Sequence, residues 1–228
     1  MKKFRFVAML TALALVLAMP FAMAEDAIDP AQLMEDVKGT YVPLFSILAK
    51  PEYDEIWVSK SAEIVGEENA EAVAEMLKAS TTAEIYGQEA VDAYAADPES
   101  MRFDCYFIGG VDKFVFDGNT LTGLDADGNV MFTHSYTYVQ ELPEAISCYA
   151  YKTDDEDAGE FTYLCLAPDT PATTWHIEFR YGSDLDALGQ MYEGPYAFWQ
   201  GAGMLEDADE EMIENCIELF CTENASEE

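Results

Sequence analysis

Histidine is nearly missing from this 228-residue chain, which has only His134 and His176. Imidazole acid–base chemistry has no other candidates, and no Ser-His-Asp arrangement, phosphate loop or dinucleotide fingerprint stands beside either one. Nothing in the sequence supports an enzyme. Cations are scarce as well: 11 Lys and Arg face 45 Asp and Glu, a formal net charge of −34. A surface so acidic excludes nucleic acid and anionic membranes as partners and attracts cations in general. Runs such as Asp154-Asp155-Glu156-Asp157 read as solvated loops. No CxxC pair occurs, which excludes a zinc knuckle or a thioredoxin-like site. Cys105, Cys148, Cys165, Cys216 and Cys221 are odd in number, so at least one is unpaired or bonded to another molecule. Beyond residue 24 no apolar run is long enough to span a bilayer, so no membrane insertion is expected.

The first 24 residues have the layout of an export signal. Lys2, Lys3 and Arg5 are followed by an apolar core from Phe6 to Met19 and a small-residue cleavage motif, Ala22-Met23-Ala24. Cleavage is expected before Glu25, placing the remaining chain outside the cytoplasm, periplasmic or secreted, where disulfides are permitted.

Residues 25–228 suit one domain. Its first part, 31–96, reads as helical, with breaks near Lys38-Gly39 and Pro43. Glu67 to Lys78 carries Ala70, Val73, Ala74 and Leu77 at helical spacing. The character changes at Met101. From there to Tyr181 short aromatic and β-branched segments alternate with turn residues, which predicts an antiparallel meander, open or closed into a barrel. Phe116-Asp117-Gly118-Asn119 and Asp125-Ala126-Asp127-Gly128-Asn129 read as hairpin turns. The second fails as a calcium loop because its glycine comes too early and no glutamate closes it. The last part, 184–221, has a short helix after Asp184, an aromatic loop from Tyr192 to Met204, and a terminal helix from Asp207 to Phe220 with Asp207 as its cap. Cys216 and Cys221, five apart on that helix, point to different faces.

One stretch organises the rest. In Thr174-Trp175-His176-Ile177-Glu178-Phe179-Arg180-Tyr181 the aromatic and apolar residues alternate with polar ones, the pattern of a strand with one buried face. Thr174, His176 and Glu178 fall on the polar face, and Cys165 ends the preceding strand. A thiolate, an imidazole and a carboxylate form a soft-to-borderline donor set suited to zinc. His134, on a third strand, reaches the same place if the sheet curls. The candidate metal ligands are therefore His176, Cys165, Glu178 and His134.

The order of several segments resembles the ZinT (YodA) family of bacterial periplasmic zinc- and cadmium-binding proteins. The segments are Gly39-Thr40-Tyr41-Val42-Pro43-Leu44-Phe45, Lys113-Phe114-Val115-Phe116-Asp117-Gly118, Trp175 to Asp184, and Met191 to Trp199 followed by Glu210 to Phe220. The resemblance implies a mainly β fold: an antiparallel calycin, lipocalin-like barrel with N-terminal helices packed on it and a C-terminal helix. It implies a zinc-binding protein, with cadmium or another divalent transition metal as alternates, that captures the ion or delivers it to a metal-uptake transporter. The family's three-histidine set falls on Cys165, Thr174 and His176, so one of the three histidines is kept; Glu178 stands near enough in sequence to replace another. The second reading is a calycin-like domain without metal that binds an apolar or peptide ligand or a protein partner.

Overall fold

A computed structural model describes residues 28–82, 85–142 and 147–225. The expected export signal lies outside the described residues. The chain opens with helix α1 (Pro30–Asp36), which Asp29 caps by accepting from the Ala31 N–H. Strand β1 (Gly39–Pro43) and the short helix α2 (Leu44–Leu48) follow, in keeping with the breaks expected at Gly39 and Pro43. Helices α3 (Asp54–Val65) and α4 (Glu67–Ala79) are separated by Gly66, whose φ of +79° suits glycine alone. A two-residue strand, β2 (Thr81–Thr82), helix α5 (Gln88–Ala96) and the two-residue β3 (Phe103–Asp104) complete the first part.

The barrel strands are β4 (Lys113–Asp117), β5 (Thr120–Leu124), β6 (Val130–Ser135), β7 (Thr137–Glu141), β8 (Tyr149–Lys152), β9 (Tyr163–Leu166), β10 (Ile177–Gly182) and β11 (Gly201–Leu205), with helix α6 (Leu185–Leu188) between the last two and helix α7 (Glu210–Ala225) at the end. With β1 they form one nine-stranded antiparallel sheet in the order β6-β5-β4-β1-β11-β10-β9-β8-β7. Its two outer strands are consecutive in the chain and joined through Tyr136, so one continuous segment lies along both edges and nearly closes a barrel. Tyr136 secures the joint: its N–H donates to the Asn119 carbonyl and its hydroxyl to the Phe161 carbonyl. The calycin-like barrel with helices packed at both ends of the chain is thus the architecture observed.

Two central strands lie where the sequence suggests none: β1, in a part read as an interrupted helix, and β11. Residues 201–205, expected to end a loop, form β11 between β1 and β10. Its composition is small because the site is crowded: a Cβ on Gly203 would meet Tyr41 Cβ at 3.2 Å and Ile177 Cγ1 at 3.4 Å, and one on Gly201 would meet the Phe179 carbonyl oxygen at 3.0 Å. Conversely, the expected strand from Met101 to Ile108 shrinks to β3, which pairs in parallel with β2 outside the main sheet.

The period-two pattern fills the barrel with rings. Phe114 lies within 4.9–5.2 Å, centroid to centroid, of Phe107, Phe179 and Tyr181, and Phe161 stacks on Phe132 at 3.8 Å. Such rings occupy the lumen that a lipocalin-type apolar ligand needs. A second cluster lies between helices, where Phe220 of α7 packs edge-on against Phe45 and Trp57. Lys60 on α3 pairs with Glu214 and Glu218 on α7. Asp209, rather than Asp207, caps α7: its carboxylate accepts from the Met212 N–H. Among the described residues no helix is long and apolar enough to cross a membrane.

Candidate metal site

The strand around His176 begins later than the alternation suggests. Residues 170–174 form a turn in which the N–H groups of Thr173 and Thr174 both donate to the Thr170 carbonyl. Trp175 then adopts φ +62°, a left-handed conformation that costs an aromatic residue energy, and pairing in β10 begins only at Ile177. The Thr174 hydroxyl is buried within hydrogen-bond reach of the Thr170 and His176 carbonyls and of the Asp169 side chain. The Thr174 hydroxyl is therefore spent inside the turn, on its carbonyls and Asp169.

The same turn fixes the imidazole. His176 Nδ1–H donates to the Thr174 carbonyl at 2.7 Å, which turns Nε2 toward Glu178. A backbone carbonyl holding one ring nitrogen is the usual support of a metal-binding histidine. Nε2 lies 3.8 Å from Glu178 Oε1. From α7, Cys216 Sγ comes to 3.8 Å from Nδ1. Asp169, in the turn before Thr170, and Glu223, at the end of α7, are close enough for their charges to act on His176 and Glu178.

The electrostatics are those of a crowded acidic pocket. Burial disfavours a charged His176 ring, yet Cys216, Glu178 and Asp169 outweigh it and raise its pKa well above the ordinary imidazole value. Burial pushes the Asp169 carboxyl up to about 7, and the neighbouring Glu178 charge adds to the rise. Burial likewise raises Glu223. The pocket therefore holds protons that a divalent cation would displace.

Asp169 gives a pH prediction for the metal-free protein. Its folded pKa lies above the unfolded carboxylate value, so its contribution to stability is greatest below about pH 4 and falls as pH rises toward about 7. At roughly 1.4 kcal/mol per pKa unit, the slope sums to a few kcal/mol. Asp169→Asn is expected to flatten that decline, and urea unfolding at several pH values checks it. An unchanged slope in the variant rules the assignment out.

The structure brings two of the four sequence candidates together, His176 and Glu178. Cys165 stands opposite Arg180 in the β9–β10 register. Arg180 lies four positions beyond His176, about 13 Å along an extended chain. Cys165 is fully buried, and burial pushes its thiol up to about 12 against the pull of Arg180. His134 lies on β6, paired with Leu121 of β5 and stacked on Phe132; its Nδ1 is 2.8 Å from Asp155 Oδ2. The sheet nearly closes, but the curl carries His134 to the acidic 154–157 loop. The residues that sequence reasoning left out are Cys216, Asp169 and Glu223. The one signal for Cys216 was its separation of five from Cys221: Cys221 faces Ser61 of α3 at 3.7 Å, which turns Cys216 toward the barrel.

Among the described residues no three His, Cys, Asp or Glu side chains already surround one point as metal ligands do. The donors fit zinc in kind, a nitrogen, a carboxylate and a thiol, and are presented as pairs. A Cys–His pair also invites a nucleophilic reading. Cys216 is only 2% exposed, so its sulfur cannot meet a substrate.

No protein-family model matches the chain, and no curated protein matches its sequence. Among solved structures, the Zn(II)-bound ZinT-like domain of Streptococcus pneumoniae AdcA aligns over 90% of this chain and 97% of its own, with a TM-score of 0.52 and 13% identity. Zn(II)-bound AdcA from the same organism aligns over 88% of this chain and 41% of its own, with a TM-score of 0.46 and 15% identity. At such identity the first likeness shows the fold: this chain has the fold of a ZinT-like domain.

Proposed function

We propose that this chain is an extracytoplasmic zinc-binding protein that captures the ion and passes it to an uptake transporter, with His176 and Glu178 as its anchoring ligands. The observation that carries this reading is the His176 ring itself, oriented by the Thr174 carbonyl, with a carboxylate 3.8 Å from its Nε2. The shared fold with a Zn(II)-bound domain supports it. His176 would supply the nitrogen, Glu178 the oxygen and a negative charge, and the raised proton affinities nearby would make uptake release protons to solvent. The overall charge of −34 draws divalent cations toward the surface and makes encounter faster at low salt. Bound zinc here is cargo, and no group in the pocket is positioned for turnover.

Calorimetric titration of chelator-treated protein tests the reading. One zinc ion per chain, bound below micromolar Kd and with affinity falling as pH drops, is expected. No uptake at micromolar zinc would sink it and leave the metal-free calycin reading in place. Of that second reading, the apolar ligand held inside the barrel is disfavoured by the aromatic rings that pack there.

A further inference from the structure

We infer that strand β7 is a docking edge for an extended, Lys- or Arg-bearing segment of a partner protein, which adds to the sheet beside β7 and lays a cationic side chain on a face made of Tyr138, Tyr149, Tyr151 and Glu141. The inference is independent of the zinc reading. β7 ends the nine-stranded sheet and pairs with β8, and among the described residues its other side has no ladder partner. All five of its residues are exposed, Tyr138 by 47% and Val139 by 44%, so nothing described covers the strand. An edge of this kind presents a row of backbone N–H and C=O groups to any strand that can approach it.

A bulge decides what lies on the face. Tyr138 stands opposite Tyr151 and Glu141 opposite Tyr149, with the register shifting between Tyr138 and Gln140. In a regular strand Tyr138 and Glu141, three apart, would point to opposite sides; the extra residue brings both to the side of Tyr149 and Tyr151. Tyr138 lies 5.9 Å from Tyr151 and 6.3 Å from Tyr149, centroid to centroid. Glu141 is close enough to Tyr149, and Asp29 to Tyr151, for their charges to act on the phenols. The Tyr151 hydroxyl donates to the Pro30 carbonyl, which fixes that ring and sets the start of α1 beside it. Ring faces bordered by carboxylates attract an ammonium or guanidinium group. Charge also selects the occupant. Lys152 is the one cation of β7 and β8, and it lies over the Tyr163 ring. A second copy of the chain carries the same net charge of −34 and is repelled. A charged residue and a bulge are ordinary defences of an edge against pairing with its own kind, and neither opposes a basic strand.

The test is fluorescence anisotropy of the purified chain with a labelled peptide of alternating lysine and valine, at physiological salt so that exposed charges alone hold little. Two further peptides are compared: one with glutamate for lysine, and one with every interior backbone nitrogen methylated, which keeps the charge and removes the ladder. The lysine peptide is expected to bind at least about tenfold more tightly than either. Tyr138→Ser and Glu141→Gln should each weaken it at least about fivefold, and bound peptide should slow amide hydrogen exchange in β7. No binding of the lysine peptide at about 1 mM overturns the inference. So does equal binding of the methylated peptide, which would mean that charge alone holds it, a comparison made on the wild type and valid even if the variants do not fold. Affinity that survives both substitutions, or exchange that slows elsewhere and not in β7, overturns it as well. A dimer in sedimentation that Val139→Lys disperses would give the edge to a second copy and overturn the choice of partner.

Discussion

His176→Ala should raise the zinc Kd by at least about 100-fold. Loss of an outer partner of a metal-bound histidine already costs 10–100-fold, and here the ligand itself is removed. That factor corresponds to about 2.7 kcal/mol. The effect should be large because the donor supply is thin. His176 is the imidazole of this cluster, and the remaining carboxylates bind zinc weakly without a nitrogen or sulfur anchor. His134→Ala is the matched control. Its ring is engaged with Asp155 and Phe132, and the variant should bind within about twofold of the parent. Competition against a fluorescent zinc chelator resolves both. Equal losses in the two variants would mean that His134 joins the site after all. No loss in His176→Ala would end the assignment.

The largest effect on stability is expected at Arg180, which lies on the outer face of β10 and is 0% exposed. Its guanidinium donates to three backbone carbonyls, those of Leu188, Gln190 and Tyr196, and lies 6.0 Å from the Trp199 ring centroid. Those carbonyls belong to the last residue of α6 and the irregular segment that follows it, which has no ladder of its own to satisfy them. Burial pulls the Arg180 pKa down to about 10, so the group stays charged at neutral pH. Its Nε–H has no acceptor among the described residues, and the site is less than ideal for a cation. Arg180→Met removes that penalty but leaves the carbonyls without their donor. Charge-assisted bonds contribute roughly 1.5–3 kcal/mol each and are only partly replaced by water, so a net loss of roughly 3 kcal/mol is expected. For a chain of this size that is about 6–12 °C in Tm. Chemical denaturation of wild type and variant measures it; a loss under about 1 kcal/mol would show that the segment satisfies its carbonyls another way. Because this segment delivers β11 and then α7, the variant should also weaken zinc binding.

Much of the scaffold could be read from local patterns. The alternation at Ile177, Phe179 and Tyr181 fixes which face of β10 turns into the barrel, since a period of two leaves no other assignment once one side is aromatic. Phe116 to Asn119, turning at Gly118-Asn119, and Asp125 to Asn129 form the expected turns. In the second, Asp125 accepts from the N–H groups of Asp127 and Asn129, and no ion is needed to hold it. The scarcity of histidine narrows any metal chemistry to a few positions before coordinates enter.

What the tertiary structure decided is where segments distant in sequence meet. Gly201-Ala202-Gly203 has no strand signature because its neighbours, Tyr41, Ile177 and Phe179, fill the space that side chains would take, and only the packed sheet reveals that. The kink at Trp175 is likewise imposed by the turn before it and breaks an alternation that looked continuous. Pairing register sets Cys165 against Arg180, while the packing of α7 on α3 turns Cys216 toward His176, forty residues earlier in the chain. Side-chain chemistry and period are local properties and survive in one dimension; the choice of which thiol reaches the imidazole depends on long-range packing, and a linear pattern does not contain it.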